Sequence, residues 1–125
     1  MTEEVQKLMA KAEHALKVAE QLMKDGYPSD AASKVYYSMF YAAQALLRSQ
    51  GIDVTKHSAV ESALGYHFAK PGKLDQKYHR MFIDARKDRE VADYDIQKEI
   101  VEPAATLKIA EGKDFLKAVK VLIGI

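Results

Sequence analysis

Cysteine is missing from the 125-residue chain, neither sign of charge predominates, and no long apolar run occurs. The first absence excludes a disulfide framework and every thiolate-based metal or catalytic site. A formal charge of +1 leaves no global field to draw the chain onto nucleic acid, so such binding has to come from a local patch. No apolar stretch reaches membrane-spanning length. The opening "MTEEVQKLMAK" puts acids first, without the basic-then-apolar order of a signal peptide, so a cytoplasmic protein without a membrane segment is expected. Only three prolines and six glycines interrupt the chain.

What remains is helical periodicity. Val5, Leu8, Met9, Ala12, Ala15, Leu16, Ala19, Leu22 and Met23 form one apolar stripe, with Thr2 as cap and Gly26 as stop. "YPSD" makes a turn in which Ser29 is expected to cap a second helix, "DAASKVYYSMFYAAQALLRSQG". That helix is apolar nearly all round, which predicts a central element with neighbours on most sides. A third helix is expected over about Ser58 to Ala69, and a fourth from about Leu74, with Tyr78, Met81, Phe82 and Ala85 facing inward. Pro103 suits the first turn of a last helix, with residues 95–102 as a connection. Leu107, Ile109, Ala110, Phe115, Leu116, Val119 and Leu122 are expected on its apolar side. The expectation is an all-α, up-and-down four- or five-helix bundle, a single domain over residues 1–125.

Few residues carry recognisable chemistry. No two of the four histidines stand at the i, i+3 or i, i+4 spacing that places two imidazoles on one metal, so neither a metal nor a cofactor is expected. His14 reads as solvated surface; His57 and His79 can meet only through tertiary packing. Tyr36, Tyr37 and Tyr41 fit core positions better than base-stacking ones. The informative stretch is "DARKDREVADYDI", residues 84–96. On a helix Arg86, Arg89 and Asp93 project from nearly one side. Arg89 also continues the inward stripe past Ala85, so it must line a cleft or an interface, because an unpaired buried charge is costly. The plainer alternative is a closed ion-pair network in which Asp88, Glu90 and Asp93 hold both arginines. An exposed Arg89–Asp93 pair contributes only about 0.3–0.5 kcal/mol.

Three segments in order, "DAASKVYYSMFYAAQALLRSQG", "KHSAVESALGYHF" and "RKDREVADYD", resemble the HEPN domain (higher eukaryotes and prokaryotes nucleotide-binding), in a prokaryotic single-domain branch. The resemblance implies a helical bundle that forms a homodimer and works with a small nucleotidyltransferase in toxin–antitoxin-like or stress modules. It further implies that some members are metal-independent ribonucleases, using an arginine and a histidine four to six residues later in the dimer cleft. Arg89 or Arg86 takes the arginine place, and Tyr94 matches the tyrosine near the motif's end. The histidine does not carry over, for none follows either arginine. Asp93 is a poor replacement acid, since a carboxyl of pKa about 3.9 has no proton to give at neutral pH.

The preferred reading is therefore a module that binds nucleotide or RNA phosphate, without efficient catalysis, through Arg86, Arg89, Asp93 and Tyr94. His79, His57 and Tyr37 rank below these. His79 stands two turns, about 11 Å, before Arg86, too far to share one phosphate oxygen, though it could line the same groove. Two alternatives stay open: a metal-independent endoribonuclease, and an interaction bundle with purely structural arginines.

Overall fold

The computed structural model describes residues 2–125. Five α-helices follow one another, α1 (Glu3–Lys24), α2 (Pro28–Ser49), α3 (His57–Leu64), α4 (Gln76–Tyr94) and α5 (Glu102–Ile123), with one π turn over Gly65–Ala69 after α3. No strand occurs among the described residues, and none of their helices is long and apolar enough to cross a membrane. The chain is an all-α bundle.

The all-round apolar character of α2 has the expected result: it touches α1, α3, α4 and α5. Val35, Tyr36, Met39, Leu46 and Leu47 are sealed from solvent, and α1 closes one side with Val5, Met9, Ala12, Leu16 and Ala19. Between α1 and α2 the buried Ser38 hydroxyl donates to the Ala12 carbonyl at 2.7 Å, so that hydroxyl is not left unpaired. Thr2 caps α1 by accepting from the Val5 N–H at 3.3 Å, and Gly26 turns the chain with φ +88°.

Several boundaries differ from expectation, each for a local reason. Pro28 occupies the first position of α2, where its missing N–H costs nothing, so Ser29 lies inside the helix and does not cap it. Ser29 Oγ accepts instead from the Ile100 N–H at 2.9 Å, pinning the connection 95–101 to the start of α2. α4 begins at Gln76 rather than Leu74, because the Asp75 carboxylate accepts from the Lys77 N–H at 2.9 Å and sets the cap. On α5, Leu107 and Ala110 point outward. The inward face is set by Ala105, Gly112, Phe115, Leu116 and Val119. At 100° per residue Leu107 falls about 200° from Ala105.

α4 is held to the rest by aromatic contacts. Phe82 is fully buried, stacked on Tyr36 of α2 with centroids 5.6 Å apart and tilted against Phe115 of α5 at 5.9 Å. One and two turns beyond Phe82 the same helix carries Arg86 and Arg89.

Candidate functional site

Three residues separate the two arginines, about 60° around the helix, and that rotation sends them to different neighbours. Arg86 turns toward α3. Its Nε donates to Glu61 Oε1 at 2.8 Å, and its Nη1 donates to Glu90 Oε1 at 2.9 Å. The Glu61 bond, then the Glu90 bond, push its pKa further up. Arg48 is held in the same way, between Glu4 at 2.9 Å and Asp53 at 2.8 Å. These are ordinary charge-assisted pairs, of which Arg86–Glu61 and Arg48–Glu4 tie one helix to another.

Arg89 turns toward α2 and meets rings rather than carboxylates. Its guanidinium carbon lies 5.2 Å from the Tyr36 ring centroid, 5.8 Å from that of Tyr37 and 5.8 Å from that of Tyr94. All three lie within the roughly 6 Å reach of a cation–π attraction. Asp93 approaches only to 3.6 Å, beyond hydrogen-bond distance. The Arg89 Nε is buried and has no hydrogen-bond partner. Burial opposes the charge, but the hydroxyl groups of Tyr94, Tyr37 and Tyr36 outweigh it, and the net shift is upward. The side chain is only 15% exposed. A cation is thus held in place mainly by π faces, which attract it without neutralising its charge.

The imidazole of His57, at the start of α3, joins the same cluster. It stacks on Phe40 with centroids 4.2 Å apart, and its Nδ1 lies 2.7 Å from the Tyr36 hydroxyl. Burial, reinforced by the positive charge of Arg89, holds this imidazole below its ordinary range. Burial likewise pushes the Tyr36 hydroxyl up to about 12. One tyrosine therefore links the two groups: Arg89 on its ring face, His57 on its hydroxyl.

The other candidates sort themselves around this cluster. Tyr37 and Tyr94 are walls of the guanidinium cradle, Tyr94 being the outer one at 72% exposure. His79 is directed to the α3 seam, its Nε2 2.9 Å from the Glu61 carbonyl oxygen. Gly65 makes that approach possible, since a Cβ there would sit 2.7 Å from the His79 ring. His79 thus shares Glu61 with Arg86, away from Tyr36. Of the closed ion-pair network, Arg86–Glu90 forms and Arg89–Asp93 forms loosely at 3.6 Å, but Asp88 is taken by Lys108 of α5 at 3.1 Å. Two participants were missed by sequence reasoning. Glu61, the main partner of Arg86, stands 25 residues away on another helix. Tyr36 was assigned to the core, which it is, yet its ring also carries the arginine. The one available signal was the aromatic cluster Tyr36, Tyr37, Phe40 and Tyr41 on a single helix.

The fold thus defines an all-α helical bundle in which tyrosines cradle one cation and one of them, Tyr36, also meets an imidazole. Comparison with known proteins then places the chain. The model of the HEPN domain matches residues 5–125, and the chain belongs to that family. Among its relatives, a Methanocaldococcus jannaschii protein named "Putative toxin" is 36% identical over 117 residues, 94% of this chain and 80% of its own length. A second Methanocaldococcus jannaschii protein of that name is 31% identical over 118 residues, 94% and 87% of the two lengths. A Pyrococcus horikoshii "UPF0332 protein" is 36% identical over 105 residues, 84% of this chain and 74% of its own.

Proposed function

We propose that this HEPN domain binds the phosphate of a nucleotide or RNA at Arg89, as the toxin-side component of a toxin–antitoxin-like module. The single observation that carries the reading is the guanidinium of Arg89, held by three tyrosine rings and hydrogen-bonded to no carboxylate, with Asp93 only in a loose ion pair at 3.6 Å. An incoming phosphate gains a charge-assisted contact in place of the loose Asp93 ion pair. Tyr94, the exposed wall, can turn aside to admit it. Arg86, with a carboxylate on each of two nitrogens, is the structural arginine and not the ligand-binding one. The module acts as a homodimer, and a small nucleotidyltransferase is the partner that fits the family resemblance. Relatives named as toxins support the module type and do not identify the partner.

A metal-independent endoribonuclease is the second reading, and His57 is the observation that favours it. The sequence offers no histidine after Arg89, but the fold supplies one from α3. The Tyr36 hydroxyl can turn either way on Nδ1. As acceptor it leaves the Nε2 lone pair free to take the proton of a ribose 2′-hydroxyl; as donor it keeps the proton on Nε2. The 2′-oxygen would attack phosphorus, the 5′-oxygen would leave with a proton, and Arg89 would hold the charge that develops on the phosphoryl oxygens. The test is RNA incubated with the protein in excess chelator. Cleavage abolished by both His57→Ala and Arg89→Ala establishes the nuclease. Binding without cleavage, weakened at least tenfold by Arg89→Ala, leaves the non-catalytic module. Binding indifferent to Arg89→Ala refutes the site.

A further inference from the structure

A second feature adjoins the arginine cradle. Tyr37 faces Arg89 and also lines an open groove of about 780 Å³ that runs along the outer seam of α1 and α2. Its chemistry is one-sided. Lys7, Lys11 and His14 come from α1 and Lys34 from α2, and no acidic residue lines it among the described residues. Tyr37 and Tyr41 stand one turn apart on α2 and supply two ring surfaces, over small apolar side chains of α1. Lys34 Nζ lies 5.9 Å from the Tyr37 centroid and Lys11 Nζ lies 5.1 Å from that of Tyr41. Neither lysine forms an ion pair among the described residues, and Lys7 has only an exposed contact with Glu3 at 3.1 Å.

We infer that this groove is a track for single-stranded RNA leading into the Arg89 site, an inference that rests on the phosphate-binding reading above. A cationic trough with aromatic faces at successive helical turns suits a flexible polyanion, because every base has a π face and every nucleotide a phosphate. The trough gives a local basic patch to a chain whose net charge is only +1. A second copy of this chain is the poorer occupant. A two-fold self-contact would set lysines against lysines, and interface cores are depleted in that residue. The groove extends from Lys7 to Val18 along α1, eleven residues or about 16 Å, so it can accept several nucleotides and not one alone.

The experiment compares two probes, 5′-UMP and a fluorescein-labelled uridine 12-mer, on the full chain and on Lys11→Ala/Lys34→Ala, Tyr41→Ala and Arg89→Ala. The parent should bind the 12-mer more tightly than 5′-UMP. The double lysine variant should weaken the 12-mer about tenfold and leave 5′-UMP within twofold. It should also flatten the dependence of log affinity on log salt by about 0.7 per lysine. Tyr41→Ala should weaken the 12-mer alone, whereas Arg89→Ala should weaken both probes. A folded lysine variant that binds the 12-mer like the parent overturns the groove and leaves the Arg89 site standing. A lysine variant whose sedimentation changes while 12-mer affinity holds overturns it in favour of a contact between copies. If Arg89→Ala weakens neither probe but the lysine variant weakens the 12-mer, the groove survives and the phosphate site falls. A parent that binds the 12-mer no better than 5′-UMP, or binds neither, overturns the track.

Discussion

Arg86 and Arg89 are one residue type on one helix, less than a turn apart, yet the fold uses them in opposite ways. Arg86 faces α3, where Glu61 pins α4 to it, and Glu90 of α4 itself closes on the other nitrogen. Arg89 faces α2, the central helix, where Tyr36 and Tyr37 offer rings and only Asp93 offers a loose carboxylate. The difference teaches that position on an apolar stripe does not decide an arginine's role. What decides it is whether the opposing helix presents acids or π faces. Acids cancel the charge and leave a strut. Rings hold the charge in place and leave it able to meet an anion.

Exchanging the two side chains in turn should break the symmetry most visibly. Arg86→Ala removes two charge-assisted bonds from a half-buried site and strands Glu61, so it should cost about 1–2 kcal/mol of stability. Arg89→Ala loses cation–π attraction but also removes a buried Nε without a partner, so its cost should stay below about 1 kcal/mol. Urea denaturation monitored by circular dichroism checks both. A smaller contrast tests the looseness of the Asp93 contact. Asp93→Asn should tighten 5′-UMP about twofold, the size of an exposed i, i+4 pair, and isothermal titration calorimetry should leave Arg86-side variants such as Glu90→Gln unchanged.

The smallest effect concerns His57. Its neutral form is favoured in the folded chain, so the unfolded chain takes up a proton first as pH falls below about 6.5. The contribution is therefore fully present above that pH and is lost as pH falls toward the folded value. Arg89→Met should move the His57 titration upward, because a positive neighbour is removed, and Arg86→Met should leave it in place. An NMR titration of the imidazole Cε1 proton reads the two variants side by side.

Much of this architecture was legible in the residues. The all-round apolar run from Val35 to Leu47 predicted a central helix, and the stripe from Tyr78 to Ala85 predicted that Arg89 points inward. Both expectations are met. The phase of α5 was misread at Leu107 and Ala110, because single apolar residues near a helix start fix its rotation poorly. The ring cradle and the Glu61 pair were not legible, since they depend on which faces of α2 and α3 oppose α4. A helix pattern records how each element is buried and does not record what stands across from it. The same limit concealed His57, whose place beside Tyr36 is a tertiary fact spanning 21 residues.

The most direct test labels the arginine side chains with nitrogen-15 and follows each Nε–Hε signal as 5′-UMP is added. The unpartnered Nε of Arg89 should shift on binding, while Arg86 Nε, already donating to Glu61 at 2.8 Å, should hold still. A shift confined to Arg86, or saturation by nucleotide with no response from Arg89, would contradict the account.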